Sequence, residues 1–492
     1  MGDNKRLLEG AAVGTLFILI GNAVGMGLGF LIRIAIARFT NPSTYGLVVL
    51  GVAVLNVLTI FSLLGLEKGI ARNIPISNHP SKLVSSSIQS ITVVSLLLSV
   101  IFGAGILFYP GISGQVQNVI LIFILGVPFL AILRLTKGIF QGTEDTISKV
   151  LSQDLARRIF VVFFVVVASV IGLGATGIAA GWVAGIAIST ITGLTLVVLR
   201  SNLWQFEELF QFDRSTAKSL IIFSLPIMLS DSTWKLMQEI DNILLGYLLQ
   251  NTSSIGIYDA SYTIAKSLLI FLWTFQFLFL PIFTKLYDSN NINELNKFYS
   301  TATKWLISLA LPTVVVIVFH AKIIIRTIFD TDYISGGDPL AVLAFGFFIF
   351  IITGLSRHAL TAIGKTKLIF VASILSLFLD AILNIILIPV YGILGAAIAT
   401  ASAFIFANLI LLGILYRRFG IHPVSLSLLL STGVASIAVV SSNNLFKTFV
   451  TTVPRLVLIS MLSLVLSLLC FVLIGKTEQD ERFISDLKNQ NM

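Results

Sequence analysis

Long uninterrupted runs of apolar residues constrain this chain more than any other feature of its sequence. Residues 161–170 and 409–415 lie in two such runs, and comparable stretches recur along all 492 residues. A run of about twenty apolar residues crosses a bilayer. Because every backbone amide in hydrocarbon needs an internal partner, each run is expected to be a helix. The sequence therefore predicts an all-α, polytopic membrane protein.

Composition supports this interpretation and excludes several classes of function. Only 11% of the residues are charged and 56% are hydrophobic, whereas about a quarter of the residues in a soluble chain are charged. The single cysteine, Cys470, excludes an internal disulfide and a Cys-rich metal site. The net charge of +9 comes without a basic stripe and interleaved aromatics, so nucleic acid is not an expected partner. No cofactor-binding or catalytic motif occurs, and we predict a protein that is not an enzyme.

We predict about fourteen transmembrane spans, the first of which is long enough to stay in the membrane as a span. They are placed near residues 11–33, 45–66, 83–109, 117–139, 154–173, 177–199, 218–249, 255–283, 303–320, 339–362, 368–389, 393–415, 424–442 and 454–474.

The distribution of Lys and Arg predicts the orientation. With the N-terminus inside, about 23 of the 32 basic residues fall on the cytoplasmic side, Arg134, Arg157 and Arg158 among them. Cytoplasmic loops retain such residues, and the asymmetry supports an even number of spans. Both termini are thus expected in the cytoplasm, with the chain in the plasma membrane of a prokaryote.

The two halves of the chain echo each other. Residues 41–46 (NPSTYG) after span one resemble residues 251–256 (NTSSIG) after span seven, and two further pairs recur at similar offsets of about 210 to 222 residues. Parallel repeats are typical of transporters whose substrate site lies between the lobes. We predict a six-helix lobe over 1–215, a second over 216–420, and an extra helical pair with a cytoplasmic tail over 421–492.

Ionisable residues at membrane depth are the candidate site residues, because an ionised side chain there costs at least about 2.5–3.5 kcal/mol and usually faces a wet cavity or a partner. These candidates are Arg33, Arg38, Lys235, Glu239, Asp241, Lys266, Arg357 and Asp380. Basic groups in a cavity would suit an anionic head group such as a pyrophosphate, since Arg binds phosphate oxygens bidentately.

Each candidate also has a structural interpretation. Lys235 and Glu239 share one helical face and can pair, which would stabilise a lobe. Arg38 could be an interfacial anchor, and Arg134 a determinant of orientation. The glycines of span one and of span six, several of them four residues apart, are interpreted as packing positions that let helices approach.

Several segments resemble the polysaccharide-export flippases of the multidrug/oligosaccharidyl-lipid/polysaccharide superfamily, over nearly the whole chain. The matching segments are 37–46, 65–72, 225–226, 240–247, 256–258, 362–367, 383–389 and 391–400. The resemblance implies two six-helix lobes around a central cavity, with Arg33, Arg38, Asp241 and Lys266 in or near it. It further implies that the protein moves lipid-linked oligosaccharide from the inner to the outer leaflet by alternating access.

Two alternatives remain open at this point. A multidrug antiporter of the same fold would couple to H⁺ or Na⁺ through carboxylates such as Asp241 and Asp380. A membrane glycan polymerase or ligase would need a sizeable external loop, which only residues 322–338 approach. For a flippase, the expected partners are the bilayer and a lipid-linked glycan, with the coupling cation open.

Overall fold

The computed structural model describes residues 25, 27–109, 111–112, 114–200 and 213–424, together with scattered residues between 430 and 465. Within these ranges the chain is helical and contains no β-strand, which confirms the predicted all-α class. Nine described helical segments are long and apolar enough to cross a membrane. The predicted spans 424–442 and 454–474, the N-terminal part of the first span and Cys470 lie outside the continuous described ranges.

The chain divides into two compact units, residues 1–256 and 257–492. The described helices of the first unit begin with α1 over residues 27–39. They continue with α2 (Pro42–Leu63), α3 (Leu66–Asn73), α4 (Pro80–Phe108), α5 (Gly114–Leu125), α6 (Val127–Gly142), α7 (Thr146–Lys149), a π-helical segment (Val150–Ala156), α8 (Arg157–Val170), α9 (Gly174–Arg200) and α10 (Arg214–Leu249).

The helix α11 (Thr252–Ser267) begins in the first unit and continues into the second. The second unit then contains α12 (Leu269–Asp288), α13 (Ile292–Ile328), a 3₁₀ helix (Thr331–Gly336), α14 (Gly337–Ala362), α15 (Thr366–Tyr391) and α16 (Ile393–Phe419). Each predicted span from the first to the twelfth overlaps at least one of these helices. The predicted lobe boundary at residue 215 and the separate segment 421–492 stay predictions.

Polar residues between the apolar runs begin the helices. The side chain of Asn41 accepts a hydrogen bond from the Thr44 amide at 2.8 Å, and Pro42 occupies the start of α2. Asp145 caps α7 in the same way through the Ser148 amide at 3.0 Å. Such caps satisfy amides that have no partner inside the helix. The polar residues Asn41 and Asp145 therefore fix where α2 and α7 start.

Two regions differ from the predicted spans in a way that matters for function. The sequence predicts that span five starts near residue 154, but Val150–Ala156 continues directly from α7 into α8. Arg157 and Arg158 therefore lie about three turns inside a continuous helical stretch. The expected external loop over 322–338 is also largely helical, because α13 extends to Ile328 and the 3₁₀ helix follows it.

Candidate functional site

A cavity of about 200 Å³ lies in the first unit, among α1, α2, α6, α8 and α9. Three arginines contribute to its wall, Arg33 from α1 and Arg157 and Arg158 from α8, and we call it the arginine cavity. The remaining lining residues are Asn56 and the mainly apolar Gly29, Ile32, Val52, Leu55, Leu130, Val161, Trp182 and Ile186. Three cationic groups therefore share one cavity with mainly apolar neighbours.

Gly25, just before α1, and Gly29 within it make room for one of these arginines. A Cβ atom on Gly25 would come within 2.5 Å of Arg158 Nε, and one on Gly29 would lie 3.1 Å from Arg158 Nη1. Gly27, on another face of the same helix, would meet nothing within 4 Å. The Arg158 side chain thus lies flat across the Gly25–Gly29 face. The packing role of these glycines is to admit a charged side chain.

The two arginines of α8 are held differently. Arg157 Nε donates to the Gln153 carbonyl oxygen at 3.3 Å, one turn back in the π-helical segment. Arg158 Nε is buried and makes no hydrogen bond within the described part of the chain. A buried guanidinium with an unused donor is costly unless a partner arrives. Arg158 therefore lines the arginine cavity with a donor that no described residue satisfies.

Asn56 connects the arginine cavity to a buried polar network. Its Oδ1 accepts from Arg134 Nη2 at 2.9 Å, and its Nδ2 donates to Glu239 Oε1 at 3.0 Å. The three residues come from α2, α6 and α10, so one amide side chain links three helices. Arg134 Nη1 is buried and has no hydrogen-bond partner among the described residues. Arg134 therefore belongs to this network, and its part in orientation stays a prediction.

A smaller cavity of about 40 Å³ lies beside Arg134 and is lined by Glu67, Lys68, Ser232 and Lys235, among other residues. Glu67 is only 7% exposed and pairs with Lys137 at 2.6 Å. Burial by itself raises the pKa of Glu67, but the Lys137 ammonium and its hydrogen bond, together with the charges of Lys235 and Arg134, outweigh burial and leave the pKa below its ordinary value. Glu67 is therefore ionised at neutral pH.

The structure brings together only some of the predicted site residues. Arg33 lines the arginine cavity, Glu239 accepts the hydrogen bond from Asn56, and Lys235 lines the smaller cavity. Arg38 is exposed and does not line either cavity, and Asp241 is fully buried. Their part in a site stays a prediction.

The predicted site residues of the second unit lie in different surroundings. Asp380 is fully buried. Arg357 Nη2 donates to Ser373 Oγ at 3.2 Å, and Lys266 Nζ lies 5.9 Å from the centre of the Tyr262 ring. The part of these three residues in a site also stays a prediction.

The arrangement of the arginine cavity suits binding of an anion. Several guanidinium groups in a partly apolar pocket attract phosphate oxygens strongly, because each presents a planar fork of donors. Within the described ranges, no group of three or more His, Cys, Asp or Glu residues could hold a metal ion. The arginine cavity is therefore a candidate binding site for an anionic head group.

Comparison with known proteins shows the family. The family model described as polysaccharide biosynthesis protein matches residues 11–287, more than half of the chain. The chain belongs to this family. A second model, MatE, matches residues 226–386.

Individual relatives cover most of the chain. It is 23% identical over 392 residues to the protein named "Probable low-salt glycan biosynthesis flippase Agl15" of Haloferax volcanii, covering 79% of each chain. It is also 23% identical over 401 residues to the capsular polysaccharide biosynthesis protein CapF of Staphylococcus aureus, covering 79% of this chain and 95% of the relative.

Solved structures show the fold. The lipid II flippase MurJ in an inward closed conformation matches with a TM-score of 0.75 and 16% identity. That match covers 96% of this chain and 99% of MurJ. The protein is a multi-pass membrane protein with the MurJ-like fold.

Proposed function

We propose that the protein is a flippase that moves a polyprenyl-linked oligosaccharide from the inner to the outer leaflet by alternating access. Membership of the polysaccharide biosynthesis family supports the substrate class, as do relatives whose names refer to glycan and capsule synthesis. The MurJ-like fold supports the mode of action. The observation that carries the proposal is the arginine cavity.

Under this proposal, each part of the substrate lies in a different environment. A polyprenyl-linked glycan has a phosphate or pyrophosphate between an apolar tail and a polar sugar. Arg33, Arg157 and Arg158 bind the phosphate oxygens, and the apolar wall around them excludes competing water. The tail stays in hydrocarbon because its transfer to water costs about 0.8 kcal/mol per CH₂ group. Charge recognition with little contact to the sugar would admit different glycans.

The same proposal includes the orientation. Both termini lie in the cytoplasm and the chain lies in the plasma membrane of a prokaryote, as the distribution of Lys and Arg predicts. A reporter that is active only in the cytoplasm, fused after Met492, tests the position of the C-terminus. Such a fusion is expected to be active, whereas activity of a reporter that works only after export would reverse the orientation.

The alternative of a multidrug antiporter keeps one specific observation in its favour. The MatE model matches residues 226–386, a region that contains Asp241 and Asp380. A cation-coupled antiporter would depend on these carboxylates. Drug resistance that is lost with the gene, and with Asp241→Asn or Asp380→Asn, would favour this function over glycan transport.

Transport by the purified protein tests the proposed function directly. Proteoliposomes would contain a fluorescent short-chain polyprenyl-pyrophosphate disaccharide, and a membrane-impermeant quencher would report its leaflet. The wild-type protein is expected to expose the inner-leaflet pool, and a variant with Arg33, Arg157 and Arg158 all changed to Gln is expected not to. Equal rates for the two proteins would remove the arginine cavity from the mechanism, and no transport by either would reject the flippase.

A further inference from the structure

The first turns of α2 and α11 approach each other unusually closely within the first unit. A Cβ atom on Gly46 would overlap the carbonyl oxygen of Thr252 and lie 2.9 Å from the Gly256 amide nitrogen. A Cβ atom on Gly256 would overlap the Pro42 carbonyl oxygen and lie 3.0 Å from the Gly46 amide nitrogen. The two glycines therefore occupy reciprocal positions. No larger residue fits at either place while the helices are this close.

This contact joins segments that the sequence repeat makes equivalent. Gly46 and Gly256 end the NPSTYG and NTSSIG segments, which lie about 210 residues apart. Both segments begin with an asparagine cap: Asn41 accepts from the Thr44 amide at 2.8 Å, and Asn251 accepts from the Ser253 amide at 3.0 Å. The repeated motif thus supplies the same helix start twice, and the two copies pack against each other.

A polar bond accompanies the close approach. Ser43 Oγ and Thr252 Oγ1 lie 2.6 Å apart at an exposed position. A hydrogen bond of this kind contributes only about 0.5–1.5 kcal/mol, because water replaces it when the helices separate. The glycines themselves have no side chains to interlock, so no rotamer has to change at these positions when the contact opens. A contact that fits closely but contributes little free energy can open and close reversibly.

We propose that this contact, the glycine clasp formed by Ser43, Gly46, Thr252 and Gly256, is a gate that closes one end of the transport pathway. Under the proposed orientation, both segments follow odd-numbered spans and lie at the outer face, so the clasp is the outer gate. The inference rests on the proposed function, because alternating access requires such a gate to open. The clasp shuts only because both glycine positions lack a side chain.

Disulfide trapping tests whether the clasp forms and moves. Ser43→Cys and Thr252→Cys would be combined with Cys470→Ser, which removes the native thiol, and a protease site inserted between residues 200 and 213 would report the cross-link. The hydroxyl separation of 2.6 Å suits a disulfide with little backbone movement. Oxidation is expected to hold the two fragments together and to stop transport, and a reductant is expected to restore it. No cross-link, or full transport by the cross-linked protein, would overturn the proposal.

Single alanine substitutions give a second measure with a matched control. Gly46→Ala and Gly256→Ala should each lower the cross-linking yield and transport by about tenfold, which corresponds to about 1.4 kcal/mol. Gly105→Ala in α4 is the control, because a Cβ there meets nothing within 4 Å. Clasp variants that cross-link like Gly105→Ala would overturn the gate. The cross-linking yield can be measured without substrate, so it is independent of flippase activity. If the clasp variants cross-link as expected but the protein transports no lipid-linked glycan, the proposed function is rejected and the gate is not.

Discussion

The two compact units hold their ionisable residues in different ways. In the first unit, arginines of α1 and α8 line a cavity of about 200 Å³, and Asn56 joins that cavity to Arg134 and Glu239. In the second unit, Asp380 has no exposed surface, and the interior includes packed aromatic rings such as Phe347 and Phe404, whose centroids lie 5.4 Å apart. The first unit therefore presents arginines to a cavity, whereas Asp380 in the second unit is packed inside protein, as Asp241 is in the first.

This difference teaches that depth in the membrane and access to a cavity are separate properties. A charge in the middle of an apolar run stands out in a sequence, as Asp380 does. A charge at the edge of such a run looks like an orientation signal, as Arg157 and Arg158 do. In the fold, Arg157 and Arg158 line the arginine cavity, and the helical stretch that carries them begins before the predicted span. Substitutions at the arginine cavity should therefore change transport more than substitutions in the second unit.

The largest effect is expected from removing a cavity arginine. Arg158→Gln should lower transport about tenfold to a hundredfold, because a hydrogen bond to a charged group contributes roughly 1.5–3 kcal/mol. Arg158→Lys should recover part of the loss, since it keeps the charge without the planar fork. Arg357→Gln, in the second unit, is the comparison and should cost much less. Equal losses at Arg158 and Arg357, measured as initial rates in proteoliposomes, would end the distinction between the units.

A smaller loss is expected at the bridge between three helices. Asn56→Leu keeps a similar volume but removes the hydrogen bonds to Arg134 and Glu239. Leaving two charged groups without this bridge should destabilise the folded protein by about 1–3 kcal/mol and lower transport severalfold. Thermal unfolding in detergent and transport should be measured together. A variant with unchanged melting and unchanged transport would show that the bridge contributes nothing.

The glycine face of α1 gives a finer test. A Cβ on Gly29 would lie 3.1 Å from Arg158 Nη1, so Gly29→Ala should displace the guanidinium slightly and reduce transport about threefold to fivefold, or roughly 1 kcal/mol. Gly27→Ala, two residues away on the same helix, meets open space and should have no effect. If both substitutions change transport alike, the position of Arg158 over Gly29 is not what matters.

The smallest effect concerns stability alone. Glu67→Gln loses the charge partner of Lys137 and should lower the free energy of unfolding by about 1–2 kcal/mol at neutral pH. Because the pKa of Glu67 is lowered in the folded protein, this stabilisation is present above the ordinary carboxyl pKa and is lost as the pH falls through the lowered value. Unfolding measured over pH should show the two proteins converging in acid. A difference that grows in acid would contradict the lowered pKa.

Much of the fold could be predicted from the sequence, because one physical requirement dominates it. Apolar runs have to be helices in a bilayer, so predicted spans such as 45–66 and 393–415 correspond to α2 and α16. The site is harder to predict. Arg33 stands out because it ends an apolar run, but placing Arg158 requires knowing that Val150–Ala156 is π-helical and continuous with α8. Gly25 and Gly29 carry a signal, a spacing of about one helical turn, whose partner only the structure identifies.

Binding of a soluble head-group analogue to the purified full-length protein tests the central claim most directly. Calorimetric titration would compare a short-chain polyprenyl-pyrophosphate disaccharide with its uncharged tail alcohol, in wild type and in Arg158→Gln. The arginine cavity predicts that only the pyrophosphate compound binds, and that Arg158→Gln weakens it by at least about tenfold. Equal affinity in the two proteins, or equal binding of the alcohol, would contradict the account.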